Sequence, residues 1–163
     1  MIIWLKNKHT LQLDSFKFQC CIGKNGLTKF KKEGDFKTPK GTFKIEHLYY
    51  RKDRIKKPLT KLKCIEIKKN MGWCNDVKNK KYNKLIKIND NCSHEKLIRR
   101  DKKYDLLIPI KYNFDNSISG KGSCIFLHLT KNYKPTAGCI ALKKKDFEIL
   151  LKLVDKKTKI KIG

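Results

Sequence analysis

Residues 124–142 of this chain have the sequence Cys-Ile-Phe-Leu-His-Leu-Thr-Lys-Asn-Tyr-Lys-Pro-Thr-Ala-Gly-Cys-Ile-Ala-Leu. Four of the five side chains at 125–129 are apolar, and in a β-strand Phe126 and His128 would face away from the other three. A second apolar run follows Cys139, after the ten residues that separate it from His128. The segment therefore predicts two strands joined by a loop, with a histidine near the end of the first strand and a cysteine at the start of the second.

His128 and Cys139 have the chemistry of a nucleophilic pair. A thiol needs a base or a positive neighbour to become a thiolate, and histidine is the usual base. Gly138 leaves room for a carbonyl group to approach, and the backbone N–H groups of Gly138 and Cys139 could face a developing oxyanion. The alternative is that Cys139 is a buried packing residue and His128 a core histidine, since seven cysteines and four histidines give chance neighbours.

Short alternating apolar segments recur along the chain and are typical of strands. The predicted strands cover residues 2–5, 11–13, 16–22, 42–50, 64–67, 106–112, 124–129 and 160–162. One helix is predicted near the C-terminus, capped by Asp146, with apolar residues at helical spacing: Phe147, Leu150, Leu151 and Val154. The polar stretch 71–93, dense in Lys and Asn, predicts a long loop. The pattern favours a mainly β fold, a sandwich or barrel-like sheet with one C-terminal helix, in a single domain over residues 1–163.

The chain is strongly basic, with 41 Lys and Arg against 15 Asp and Glu and a formal net charge of +26. Nearly all of the basic residues are lysines spread along the sequence, which favours a coding bias toward Lys at solvated positions. The alternative is long-range attraction to a polyanion such as nucleic acid, anionic lipid or an acidic cell-wall polymer. Arginine is scarce and no recognised nucleic-acid motif is present, so no specific nucleic-acid partner is expected.

Seven cysteines cannot all pair with one another, and none belongs to a C-x-x-C motif. They are Cys20, Cys21, Cys64, Cys74, Cys92, Cys124 and Cys139. We expect most of them to be small buried side chains with reduced thiols. We also expect no metal site and no cofactor, because the ligand spacing of a zinc site is missing.

The N-terminal apolar run, residues 2–5, is shorter than the about 7–15 residues of a signal-peptide core. No apolar run approaches the about 20 residues that span a bilayer, so no transmembrane segment is expected. The chain is then either retained inside the cell or exported by a route that the sequence does not show, and its compartment is left open.

Two motifs resemble those of a known family. His128 followed by residues 136–140, Thr-Ala-Gly-Cys-Ile, is similar to the active-site segment of the L,D-transpeptidase catalytic domain, the YkuD-like family. Residues 32–43, Lys-Glu-Gly-Asp-Phe-Lys-Thr-Pro-Lys-Gly-Thr-Phe, are similar to that family's second motif, a K-x-G-D-x-x-T-P-x-G-x-F hairpin. Further stretches resemble one branch of the family, at 72–76, 93–95, 103–105, 112–113 and 120–123. The resemblance runs from about Leu13 to the C-terminus.

The resemblance implies a β-sandwich-like catalytic domain that acts on peptidoglycan stem peptides, at the bond between the third-position diamino acid and a terminal D-alanine. By position, Cys139 would be the nucleophile and His128 the general acid and base. The N–H groups of Gly138 and Cys139 would stabilise the oxyanion. An amine of a second stem peptide would then resolve the thioester and cross-link the peptides, whereas water would give carboxypeptidase activity. Such a substrate implies the periplasm or cell envelope.

The sequence departs from many members of this family at two positions. Ala137 stands where many carry a histidine before the Gly-Cys pair, and Leu129 stands where many carry Ser or Thr after the first histidine. The group that orients His128 must therefore be a backbone carbonyl or another side chain.

Five further residues are candidates for binding the substrate. Lys37, Arg99 and Arg100 could pair with the free carboxylates of a stem peptide. Trp73 could stack on a sugar or peptide face, although a role as a core plug beneath the long loop is favoured. His94 is a candidate site group, although a surface histidine capped by the neighbouring glutamate is favoured. The protein is expected to be a monomer.

Two other functions compete with the enzyme. A non-catalytic basic module would use the fold to bind nucleic acid or an anionic polymer, and its binding would be salt-sensitive and indifferent to Cys139 and His128. A thiol metal site is the third hypothesis, but the cysteines lack the spacing of metal ligands.

Overall fold

The computed structural model of the chain describes residues 1–88 and 91–163. The strands in these residues are β1 (Ile2–Leu5), β2 (Thr10–Leu13), β3 (Phe16–Cys21), β4 (Leu27–Thr28), β5 (Thr38–Pro39), β6 (Gly41–Lys44), β7 (Leu48–Tyr50), β8 (Cys64–Glu66), β9 (Met71–Cys74), β10 (Leu85–Lys87), β11 (His94–Lys96), β12 (Leu106–Pro109), β13 (Phe126–Leu129), β14 (Ile140–Leu142) and β15 (Lys159–Ile162). The helix is α1 (Lys144–Leu153). The prediction of a mainly β fold with one C-terminal helix is confirmed. Within the described residues, no helix is long and apolar enough to cross a membrane.

Ten strands form one curled sheet in the order β6-β15-β1-β2-β3-β14-β13-β12-β7-β8. The curl brings the β6 end of the sheet back toward β12, where Ile45 forms a bridge with Ile110. Beside this bridge, the N–H of Lys111 donates to the carbonyl of Lys44 at 2.8 Å. Three further strands form a small sheet in the order β10-β9-β11, and β4 pairs with β5. Because the large sheet bends back on itself, one of its faces encloses a core.

This main core is built by the two-residue alternation of short strands. In β1, Ile3 and Leu5 are fully buried, whereas Ile2 and Trp4 are exposed. Helix α1 packs into the same core through side chains at helical spacing, which are Phe147, Leu150 and Leu151. Burial of side chains of this size stabilises a fold by about 1.5–3 kcal/mol each.

The helix begins two residues before Asp146. The residue that precedes it is Lys143, and no side chain caps the first turn. The prediction that Asp146 is the cap is therefore wrong, since Asp146 lies inside the first turn. At that position its carboxylate faces the positive end of the helix dipole, which still stabilises a helix by about 0.3–1 kcal/mol.

Two predicted segments differ from the structure. The strand predicted at 42–50 is two strands, because the chain changes partner at Ile45: β6 pairs with β15, whereas β7 pairs with β12. The loop predicted at 71–93 contains β9 and β10 and leads into β11. These strands have only three or four residues, which is too short for a clear alternation in the sequence. Residues 89 and 90 of that predicted loop lie outside the described residues.

The two faces predicted for residues 125–129 are confirmed. Ile125, Leu127 and Leu129 belong to the main core. Phe126 lies on the opposite face, in a second group of buried side chains that we call the aromatic cluster. Its members are Tyr49, Ile67, Trp73, Leu97, Tyr104, Leu107, Phe126 and Cys139. Strand β9 of the small sheet supplies Trp73, so the small sheet covers this face of the large one.

Candidate active site

The fold brings the Cys139 thiol and the His128 imidazole to the same face of the large sheet. Strands β13 and β14 run parallel and adjacent, with His128 opposite Ala141. Cys139 precedes Ala141 by two residues and lies beside Phe126, whose N–H donates to the Cys139 Sγ at 3.3 Å. His128 shares the Phe126 face of β13. Its ring packs edge-on against Tyr104, with 5.4 Å between the ring centroids.

A backbone carbonyl orients His128. The Nδ1 atom lies 2.8 Å from the carbonyl oxygen of Leu129. A carbonyl can only accept a hydrogen bond, so Nδ1 carries the proton and Nε2 is left as the basic nitrogen. Burial lowers the pKa of His128 from 6.5 to about 4, so the imidazole is neutral at pH 7. The sequence left open whether a backbone carbonyl or another side chain orients His128, and the structure shows a backbone carbonyl.

The Cys139 sulfur is held between two backbone groups. It accepts the Phe126 N–H and donates to the carbonyl of Cys124 at 3.1 Å. Burial raises the pKa of Cys139 to about 12, although the Phe126 N–H and the charges of Lys31 and Arg99 act in the opposite direction. Both shifts favour the neutral thiol and the neutral imidazole over the ion pair.

The loop before Cys139 is fixed by two threonine hydroxyls. Thr136 donates to the Cys139 carbonyl at 2.6 Å and accepts the Gly138 N–H at 3.1 Å. Thr38, from the second motif, donates to the Gly138 carbonyl at 2.8 Å. Because the Gly138 N–H is bonded to Thr136, it could donate to an oxyanion only after that bond opens, and its predicted role there stays a prediction. The Cys139 N–H is the other candidate donor of this pair.

Gly138 is required by its surroundings. Its φ is +144°, a conformation that side chains disfavour, and a Cβ at this position would lie 2.9 Å from the carbonyl oxygen of Lys37. Of the three basic residues predicted to bind substrate, Lys37 thus has its backbone next to the loop that carries Cys139.

A buried lysine that sequence reasoning missed lies beneath the same loop. The Lys31 side chain is 3% exposed, and its Nζ pairs with Asp35 at 2.5 Å and donates to the carbonyl of Lys32 at 2.7 Å. Burial would raise the pKa of Asp35, but hydrogen bonds from Lys31 and from two backbone N–H groups outweigh it and lower that pKa. The Lys31 methylenes fill the space beside Gly122 and Gly138. The one sequence signal for a role of Lys31 is its position directly before the second motif.

Arg99 and Arg100 differ in their surroundings. The Arg99 guanidinium donates to Glu95 at 2.9 Å and to Asp101 at 2.8 Å, and it lies over the Tyr104 ring at 4.9 Å. Tyr104 donates its hydroxyl to the same Glu95 oxygen at 3.0 Å. Arg99 is therefore bonded within the protein, whereas the Arg100 side chain is exposed.

Trp73 and His94 are both held by contacts within the protein. Trp73 is 2% exposed, and its Nε1 donates to the side-chain oxygen of Asn83 at 2.9 Å, as expected of a core plug. His94 begins β11, and its Nδ1 lies 2.6 Å from the carbonyl oxygen of Cys92. The carboxylate of Glu95 contacts Tyr104 and Arg99 rather than His94, so the suggested capping of His94 by Glu95 is wrong.

A cavity of about 340 Å³ lies beside the aromatic cluster. Its lining residues are Glu46, Tyr49, Trp73, Asn83, Lys84, Leu85, Phe114 and Asp115. Neither Cys139 nor His128 lines it, and these two residues are only 7% and 6% exposed. A peptide can therefore reach the sulfur only when covering side chains move.

Comparison with known proteins identifies the family. The family model of the L,D-transpeptidase catalytic domain, YkuD, matches residues 1–162. No curated protein matches the chain. A solved L,D-transpeptidase from Mycobacterium smegmatis is similar at 12% identity with a TM-score of 0.43, over 99% of this chain and 57% of that one, so this chain spans little more than half of its length. By the family match over nearly its whole length, the chain belongs to the L,D-transpeptidase catalytic-domain family.

Proposed function

We propose that this protein is a cysteine-dependent L,D-transpeptidase that acts on peptidoglycan stem peptides through a thioester. The observation that supports the proposal is that His128 in β13 and Cys139, directly before the parallel strand β14, lie on one face of the large sheet, with His128 Nδ1 bonded to a backbone carbonyl. That bond leaves Nε2 as the nitrogen that can take the proton from a thiol. Membership of the family supplies the substrate class.

The acylation step begins from two neutral groups. The Cys139 sulfur attacks the carbonyl carbon between the third-position diamino acid and D-alanine, and its proton passes to Nε2 of His128. Because the pKa of Cys139 is raised and that of His128 is lowered, this transfer accompanies the attack instead of preceding it. The tetrahedral intermediate then collapses, the C–N bond breaks, and the D-alanine amine leaves with the proton from His128.

The Cys139 N–H is the proposed donor to the oxyanion. One such donor commonly stabilises the transition state by about 3 kcal/mol. The ion pair of Lys31 and Asp35 lies below the same loop. The backbone of Lys37 lies beside Gly138, and its side chain is the proposed partner of a stem-peptide carboxylate.

The thioester has two fates. Attack by an amine of a second stem peptide forms a new amide and gives a cross-link, and attack by water releases a shortened peptide. In both, His128 takes a proton from the attacking group and returns it to the Cys139 sulfur. The arrangement of Cys139 and His128 supports both reactions, so the acceptor has to be identified by product analysis.

Formation of a covalent adduct tests the proposal. A carbapenem mimics the donor and acylates the thiol, so intact-protein mass spectrometry should show one adduct on the wild-type protein and none on Cys139→Ala. Cys64→Ala is the matched control, because Cys64 is a half-buried thiol on β8 and its loss should leave the adduct unchanged.

The proposed enzymatic function would be rejected if folded wild-type protein formed no adduct and released no D-alanine from a tetrapeptide stem. A non-catalytic basic module would instead bind a polyanion in a salt-sensitive way, with equal affinity in wild type, Cys139→Ala and His128→Gln. A fluorescence titration with an oligonucleotide at two salt concentrations separates the two functions.

A further inference from the structure

We propose that Cys74 and Cys92 are a redox pair that forms a disulfide. Their sulfur atoms lie 2.8 Å apart. A disulfide bond is about 2.05 Å long, so the two sulfurs need to approach by less than about 1 Å to bond. Cys74 is buried at the end of β9, and Cys92 is half-buried shortly before β11.

The backbone around the pair is held in place by neighbouring contacts. The N–H of Asn75 donates to the carbonyl of Ser93 at 3.1 Å, and the Ser93 hydroxyl donates to the Asn75 side-chain oxygen at 2.7 Å. One residue further along, Cys74 pairs with His94 in the small sheet. These contacts keep the two thiols together, which makes the effective concentration of one at the other high.

A metal site is the competing explanation for two thiols near a histidine. The Nδ1 atom of His94 faces the carbonyl oxygen of Cys92, whereas its Nε2 atom is buried and has no hydrogen-bond partner among the described residues. Over residues 1–88 and 91–163, no three His, Cys, Asp or Glu side chains are grouped as metal ligands. The geometry therefore favours a bond between the sulfurs of Cys74 and Cys92.

Forming the bond removes two electrons and two protons from the two thiols. A low-molecular-weight disulfide supplies the oxidant: one cysteine thiolate attacks it and releases one small thiol, and the second cysteine then displaces the other. One protein disulfide and two small thiols result. The same exchange runs backward with an excess of a reducing thiol.

The bond would brace the small sheet where it covers the aromatic cluster. Trp73, next to Cys74 in β9, packs against Phe126 with 5.3 Å between ring centroids. Cys139 belongs to the same cluster. Oxidation would thus tie together the strands that cover the candidate nucleophile, and the pairing itself does not depend on what Cys139 does.

Peptide mapping tests the pairing. The full chain is incubated with oxidised glutathione, remaining thiols are blocked with iodoacetamide, and proteolytic peptides are analysed by mass spectrometry. We expect peptides joined through Cys74 and Cys92, two hydrogens lighter than the reduced pair and separated again by dithiothreitol. The oxidised protein should melt on the order of 5–10 °C higher, because the bond closes a loop between residues 18 apart.

Two serine variants serve as test and control. Cys92→Ser should lose both the joined peptide and the rise in melting temperature, whereas Cys64→Ser should keep both. Recovery of Cys92 from folded wild-type protein only as a glutathione adduct, or joined to a different cysteine, overturns the proposal. The wild-type peptide map decides the matter even where a variant does not fold.

Discussion

The two faces of strand β13 pack against clusters of different character. On one face, Leu127 is fully buried in a main core of mostly aliphatic side chains. On the other, Phe126 lies among aromatic rings together with the Cys139 thiol, and the His128 imidazole packs against Tyr104. Both faces exclude water and both bury a thiol, Cys20 in the main core and Cys139 in the aromatic cluster, but only on the second face does a buried imidazole, that of His128, accompany the thiol. Neighbouring residues of one strand therefore serve stability on one side and candidate chemistry on the other.

The largest expected difference between the two faces is in the reaction rate when one buried thiol on each face is replaced by serine. Cys139→Ser should lower the release of D-alanine from a tetrapeptide stem by about 10³-fold or more, because a hydroxyl is a far weaker nucleophile beside a neutral imidazole. Cys20→Ser, in the main core, should change the rate per folded molecule by less than about twofold. Equal rates in the two variants would place the reaction away from the aromatic cluster.

Deleting a ring from the main core should affect stability without touching the chemistry. Phe147→Ala removes a fully buried side chain of α1 and should cost about 3–5 kcal/mol in the free energy of unfolding, measured with urea. Phe30→Ala is the control, because Phe30 is 85% exposed and its loss should stay within about 0.5 kcal/mol. Similar losses in both would mean that α1 does not complete the core.

His128 should make stability depend on pH. Burial lowers its pKa from 6.5 to about 4, so the unfolded chain takes up a proton in a range where the folded protein does not. The free energy of unfolding should be at its full value above pH 6.5 and fall by about 3 kcal/mol as the pH drops toward 4. Urea unfolding between pH 7 and 4.5 measures this loss. His128→Gln should flatten it, and the same slope in both proteins would contradict a buried neutral imidazole.

The hydrogen bond that joins Thr38 of the second motif to the loop of Cys139 should have a smaller effect on stability. Thr38 is fully buried, accepts the N–H of Gly23 at 2.9 Å and donates to the carbonyl of Gly138. Thr38→Val should cost about 1–3 kcal/mol and slow D-alanine release, because it leaves buried polar groups without partners. Thr38→Ser keeps the hydroxyl and should restore the rate. A slow Thr38→Ser variant would assign the effect to packing by the methyl group.

The smallest effects are expected at the neighbouring arginines. Arg99→Gln should cost about 1 kcal/mol of stability, since partly exposed ion pairs contribute about that much at most. Arg100→Gln should change stability by less than about 0.5 kcal/mol, because its side chain is exposed. The KM for a stem peptide should be measured for both variants. A rise in KM for Arg100→Gln alone would identify Arg100 as the residue that contacts the carboxylate of the stem peptide.

Local sequence pattern predicted much of the fold. The alternation at 125–129 predicted both the strand and its two faces, and the helical spacing that begins at Phe147 predicted the face that α1 buries. It failed for β9, β10 and β11, because three or four residues carry too little periodicity. It also failed at Ile45, where a continuous apolar pattern passes from one strand partner to another.

By its own patterns, the sequence predicted many of the strands, their buried faces and the candidate pair of His128 and Cys139. Only the tertiary structure decided what surrounds them: the carbonyl that orients His128, the buried Lys31, and the hydrogen bond from the Thr38 hydroxyl to Gly138, which lies 100 positions away in the sequence. It also decided the approach of Cys74 to Cys92. Side-chain periodicity is a property of neighbouring residues and can be read along the chain. Contacts across a sheet depend on which distant strands pair and in which register, and that is settled by the packing of the whole molecule.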